Sequence, residues 1–85
     1  MTEAELYRKA ADLLRRDGWC KYLLRNQRGE YCMLGALDAV QPDNYSLLKK
    51  LYEVCGPSIA QFNNEDCETV DDAIAALEIA ADLAS

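Results

Sequence analysis

A mostly α-helical fold is predicted for this chain: a compact bundle of about four helices with a small β-hairpin after the first helix. Three features of the sequence carry that reading. Apolar residues recur at helical spacing in the N-terminal and C-terminal segments, and each segment opens on a capping-box pattern. Gly18, Pro42 and Gly56-Pro57 punctuate the chain where helices should stop. Strand-forming residues flank a polar turn once only, between Trp19 and Leu34.

The first helix begins with Thr2 and, three residues on, Glu5, whose side chains reach reciprocally for backbone N–H groups. Leu6, Ala10 and Leu13 then fall at i, i+4 and i+7, with Tyr7 and Leu14 widening the stripe. Arg15-Arg16 and Gly18 supply the basic last turn and the left-handed exit, which places the helix at about residues 3–17. Trp19–Leu24 is rich in strand formers, Arg25–Glu30 is a polar turn, and Tyr31–Leu34 is a second short apolar run. A small hairpin follows, and because two strands alone are marginal in water it must lie on the helices, with Trp19 packing it onto the core. An irregular loop with no ladder is the alternative.

From Cys32 or Met33 to Val40 the chain reads as a short buried helix, closed by Gln41-Pro42-Asp43. Asp43 or Asn44 can cap the next helix, residues 45–55, which contributes Leu47, Leu48, Leu51, Tyr52 and Val54 before Gly56-Pro57 ends it. A turn of helix over Ser58–Phe62 precedes a polar loop, Asn63-Asn64-Glu65-Asp66. Thr69 with Asp72 caps the last helix, whose Val70, Ile74, Leu77, Ala81 and Leu83-Ala84 approach a heptad stripe suited to packing on another helix. The two terminal helices are expected to pack together.

Eighty-five residues make one domain, 1–85, and with 51% apolar residues burial competes with the chain entropy lost on folding. No apolar stretch approaches the roughly 20 residues that cross a bilayer, so no membrane partner is expected. Met1-Thr2-Glu3-Ala4-Glu5 carries acids where a signal peptide carries bases, which points to the cytoplasm. The net charge of −6 conceals an asymmetry: residues 1–50 hold all nine bases and seven acids, net +2, whereas residues 51–85 hold eight acids and no base. An acidic C-terminal third repels phosphate, and no nucleic-acid partner is expected.

Cys20, Cys32, Cys55 and Cys67 lack the C-x2-C knuckles that zinc favours, and without an export signal they read as reduced packing thiols. The twelve-residue spacing of the two successive pairs reads as coincidence. Histidine is absent, which removes Cys-His and Ser-His nucleophile pairs, imidazole metal ligands and histidine proton shuttles together. No P-loop, dinucleotide fingerprint, EF-hand or H-E-x-x-H motif occurs, and no cofactor is implied. Cys32 stands at a helix start, where a thiolate is stabilised, but Tyr31, Met33, Leu34 and Leu37 around it predict burial. Asp66, Glu68, Asp71 and Asp72 follow Asn63-Asn64 without EF-hand spacing, and helix capping and solvation account for them without metal.

Trp19-Cys20, then Tyr31-Cys32-Met33-Leu34-Gly35-Ala36-Leu37, then Ile59-Ala60-Gln61-Phe62-Asn63-Asn64 and Thr69 opening an alanine-rich helix resemble an uncharacterised family of small proteins from actinobacteria and their phages. The resemblance runs from about Gly18 to Ala84. That family shows Trp-Cys, Cys-x-x-Gly-Ala and an aromatic-Asn-Asp motif. Asn64 stands where the resemblance implies Asp, which counts against a catalytic carboxylate there. The family's function is unknown, so the likeness implies a coherent fold and a phage or bacterial origin but no activity.

The leading functional expectation is a non-enzymatic interaction protein that binds a host protein or associates with itself as a homo-oligomer. Glu68, Asp71, Glu78 and Asp82, at offsets of three, seven and four, are the candidate interaction residues, forming a band away from the Val70–Ile74–Leu77 seam. Failing that band, the basic half around Lys21, Arg25 and Arg28 is the surface to examine. One alternative is a small-ligand protein or thiol-dependent enzyme using Cys32 with the polar candidates Asn63 and Asn64. The other is an acidic mimic of nucleic acid.

Overall fold

The Thr2 hydroxyl accepts the Glu5 N–H at 3.2 Å and the Glu5 carboxylate accepts the Thr2 N–H at 3.3 Å, so the expected capping box opens α1 (Glu3–Asp17). It satisfies donors that every helix start leaves unpaired. In the computed structural model, which describes residues 1–85, α1 is followed by α2 (Met33–Val40), α3 (Tyr45–Cys55), a single turn α4 (Ile59–Gln61) and α5 (Val70–Ala84). Between α4 and α5 lies a π-turn, Phe62–Asp66. No helix is long and apolar enough to cross a membrane.

α1 and α5, the first and last helices, share the most extensive helix–helix interface. Ala4, Ala10 and Ala11 on α1 and Ala73, Ala76, Ala80 and Ala81 on α5 are all buried, and side chains this short let two helix axes come close. Leu14, Ile74 and Leu77 join the same apolar cluster. α2 packs on α1 through Met33, Ala36 and Leu37, and α3 closes the core with Leu47 and Leu51. Two polar contacts fix α3 against α1: the buried Tyr7 hydroxyl donates to the Leu47 carbonyl, and Lys50 pairs with Glu3 at 2.9 Å. That ammonium holds the Glu3 carboxylate below its usual range.

Asn44 precedes α3 as expected, but its side chain does not cap that helix; its amide donates to Asp38 at 2.6 Å and ties α3 back to α2. At the start of α5 the Asp72 carboxylate accepts from the Glu68 and Thr69 N–H groups at 2.8 and 3.2 Å, the reach-back half of the expected box. Leu83, placed in the apolar stripe by its spacing, is exposed at the frayed end of α5.

The expected hairpin is absent. Trp19 bridges Tyr31 in parallel sense and Arg25 bridges the same Tyr31 in antiparallel sense, two isolated pairs with no ladder. A ladder needs continuous extended backbone, and this segment leaves that region at Gly18 (φ 97°) and at Tyr22 (φ 72°). The chain is instead pulled onto α2: the Cys32 N–H donates to the Leu24 carbonyl at 3.2 Å, and a Cβ at Gly35 would overlap that same carbonyl. Residues 18–32 form the irregular loop that was the alternative. The polar loop expected at Asn63–Asp66 is also replaced, by the π-turn, closed by a 2.9 Å bond from the Cys67 N–H to the Phe62 carbonyl.

Two outcomes follow from this packing. Gly35→Ala should lose about 3 kcal/mol, the upper end of overpacking costs, because the obstacle is backbone on both sides; a urea midpoint matching wild type would show that the loop does not lie on α2. Burial pushes the Tyr7 hydroxyl up from 10.0 to about 12, and the Cys55 and Cys67 thiols up from 9.0 to about 12 and about 11. The folded state therefore holds protons that the unfolded chain releases, and the stability this represents is complete below pH 9 and lost as pH rises toward 12. Urea midpoints across that range should fall, and fall less steeply in Cys55→Ala.

Candidate functional site

Cys32, Asn63 and Asn64, distant in sequence, meet where the 18–32 loop crosses the start of α2. The π-turn adds one residue to a helical turn and brings the Asn63 side chain inside, where it is 1% exposed. Its carbonyl oxygen accepts from the Trp19 indole N–H at 2.7 Å and from the Met33 N–H at 3.1 Å. Its amide donates to the Cys20 carbonyl at 3.2 Å and to the Asn64 side-chain oxygen at 3.0 Å. Both donors and both acceptor positions are thus used. The Asn64 oxygen also accepts the Tyr22 N–H at 2.8 Å. One oxygen takes both bonds, and the carboxylate of an Asp would supply it equally, so the departure from Asn-Asp removes neither contact.

Cys32 is buried as the N-cap of α2, and its sulfur accepts from the Gly35 N–H at 3.3 Å. The cavity bordered by Tyr22, Leu24, Cys32 and Asn63 is about 110 Å³, below the ~300 Å³ at which ligand pockets begin. No buried side-chain nitrogen or oxygen is left without a partner. The Asn63 amide and the Asn64 oxygen therefore hold the loop, the Cys32 sulfur caps α2, and the cavity that the three border is small.

The loop so held presents apolar side chains to solvent: Tyr22, Leu23 and Leu24 are 75%, 56% and 54% exposed. Lys21 lies over the Trp19 ring at 5.5 Å and Arg25 over the Tyr31 ring at 5.1 Å, bracketing that run with cations. Beyond it, the Asn26 side-chain oxygen accepts from the Arg28 and Glu30 N–H groups, and Gly29 at φ 83° completes the turn. Neither Lys21, Arg25 nor Arg28 forms an ion pair. The signal was present in the sequence: three consecutive large apolar residues do not alternate as a half-buried strand requires.

The four acidic candidates divide between two sides of α5. Asp71, Glu78 and Asp82 lie along the α1 side, where Glu78 pairs with Arg15 at 3.1 Å and Asp82 with Arg8 at 3.5 Å. Glu68 lies on the α3 side, near Asp66 and Asp72. No three Cys, Asp or Glu side chains converge where they could hold a metal ion.

A family model described as a family of unknown function (DUF6197) matches residues 1–83. No curated protein and no solved structure matches the chain.

Asn63→Ala should be among the most damaging single changes, at about 3 kcal/mol or more, because it strands the Trp19, Met33 and Cys20 groups, each costing roughly 1–3 kcal/mol when unpaired. Loss of the indole bond should also move Trp19 emission to longer wavelength in the folded state. A variant with wild-type midpoint and emission would remove Asn63 from the centre of the site. Asn64→Asp should leave both quantities unchanged.

Proposed function

We infer that this chain, which belongs to the DUF6197 family of unknown function, is a non-enzymatic protein-interaction module that works through the loop bracketed by Lys21 and Arg28. The observation that carries the reading is the exposed run Tyr22-Leu23-Leu24 on a backbone pinned from both sides, at the Tyr22 N–H by Asn64 and at the Leu24 carbonyl by Cys32. Surface leucines scattered singly are ordinary, whereas three adjacent large apolar side chains on an ordered loop form a patch of the kind that proteins bury on binding. Tyr22 adds to this: a left-handed aromatic residue is costly, and such strain persists where surrounding structure enforces it.

The flanking cations fit a partner surface that is apolar at its centre and acidic at its rim. Phosphate is a poorer match, since the chain as a whole carries −6. A thiol-dependent or ligand-binding role has less support, because the Asn63 amide and the Asn64 oxygen are engaged with the loop, the buried Cys32 sulfur caps α2, and the cavity beside them is small. The acidic-mimic reading is weakened by the pairing of Glu78 and Asp82 with α1 arginines. The partner in this reading is a host protein or a second copy, in a cytoplasmic setting.

Photo-crosslinking separates this loop from the acidic band. A crosslinker at position 23 should trap a protein partner in cells, and one at position 78 should not. Adducts from position 78 alone would transfer the interaction surface to α5.

A further inference from the structure

The π-turn that holds the loop through Asn64 also lines, through Phe62 and Asp66, a groove of about 530 Å³ between α3 and α5. Val54, Phe62 and Ile79 supply its apolar surface, and Asp66, Glu68 and Asp72 stand at its rim. Ile79 is 51% exposed on a helix whose other face is buried. Neither Asp66 nor Glu68 forms an ion pair. Beside the groove the Cys67 thiol is pushed up to about 11, by burial first and then by the Asp72 and Asp66 carboxylates, with Lys21 of the same copy acting in the opposite sense.

An apolar run between unpaired cations and an apolar groove between unpaired acids are complementary surfaces on one molecule. The loop is fastened to α2 and the π-turn at Tyr22 and Leu24, and no ion pair joins its cations to the acids of the groove. Resting on the loop reading above, we propose that the partner is a second copy of this chain: Tyr22–Leu24 of one copy enters the Val54–Phe62–Ile79 groove of the other, with Lys21 and Arg25 facing Asp66 and Glu68. In the proposed assembly a two-fold axis forms both contacts at once and closes it as a dimer, whereas a one-way contact would leave a free loop and a free groove at its ends. Two contacts are also needed on grounds of area. A stable interface takes about 800 Å² from each partner, about a sixth of the 4956 Å² this chain exposes, more than one short loop provides.

Sedimentation equilibrium over a range of protein concentrations tests the dimer, using wild type, Leu23→Asp and Ile79→Lys. Both substituted side chains are more than half exposed, so melting curves should confirm that the variants remain folded. The expected result is a wild-type dimer that weakens with added salt, and about a tenfold or greater rise in Kd for each variant alone. An equimolar mixture of the two variants should recover a dimer, because one loop–groove contact stays intact and the other places opposite introduced charges together. A monomeric wild type at millimolar concentration overturns self-association; if position 23 still traps another protein, the loop reading stands without it. A dimer indifferent to Leu23→Asp overturns both. One indifferent to Ile79→Lys, a mixture that stays monomeric, or a wild-type species larger than a dimer overturns the reciprocal contact.

Discussion

A single buried amide determines the form of the most unusual part of this protein. Asn63 faces four backbone or side-chain groups from three separate segments, and in a low-dielectric interior an amide that meets all its partners is worth much more than one that meets some. It serves the first N–H of α2, which a helix cannot satisfy internally, and it fixes the loop at Trp19 and Cys20 in the same act. The π-turn exists around it: in a regular α-helical turn the residue after Phe62 would follow a different heading. Trp19-Cys20, Cys32 with Gly35, and Asn63-Asn64 therefore describe one construction, whose parts are a donor, an acceptor, a close backbone approach and the amide between them.

That construction supports a surface which works against folding. Apolar side chains at positions 22–24 would stabilise the protein if they turned inward, and Tyr22 would be relieved by returning to an ordinary φ. Neither happens because the backbone on each side of the run is held, and the Leu24 carbonyl sits where only glycine at position 35 leaves room. A loop serving only to join α1 to α2 could be short and polar. Here fifteen residues from Gly18 to Cys32 intervene, stabilised by their own asparagine turn and two cation–ring contacts, with Trp19 and Tyr31 packed on the core and Tyr22, Leu23 and Leu24 outward. The apolar exposure is built into the scaffold.

Much of the architecture was legible in the sequence because it depends on nearest neighbours. Thr2 with Glu5, Thr69 with Asp72, Gly18 and Gly56-Pro57 are local signals, and the helices they delimit begin and end where those signals stand. The hairpin was misread because strand propensity scores Trp19–Leu24 by side-chain type, while its actual path is set by contacts with Gly35 and Asn63, residues far along the chain. For the same reason Asn63–Asp66 read as a polar loop: nothing local to those residues indicates that one of them is turned inward by partners at positions 19, 20 and 33. Cys32 and Asn63 stand out in the sequence as polar candidates, and in the fold the first bonds Gly35 and the second bonds Trp19, Cys20 and Met33. The outward face of the loop, which they support, is signalled only by the failure of Tyr22-Leu23-Leu24 to alternate.

The charge asymmetry divides along similar lines. Arg8 and Arg15, a heptad apart on α1, lie opposite Asp82 and Glu78 on α5, so part of the imbalance between the two halves is cancelled across that interface, whereas the Lys50–Glu3 pair lies within the first half. These pairs are exposed or half-exposed and contribute modestly, as such pairs do. Solvation and internal pairing account for that share of the charge. They do not account for Lys21, Arg25 and Arg28, which gather beside exposed apolar residues, or for Asp66 and Glu68, which gather beside an apolar groove. A charge that borders apolar surface keeps that surface from non-specific association, and it stands where a partner would meet it. Bordering positions are where charge acts on another surface, by accelerating encounter and fixing register. The charges therefore fall into two sets: one paired across α1 and α5, and one at the loop and the groove, where no ion pair forms within the fold.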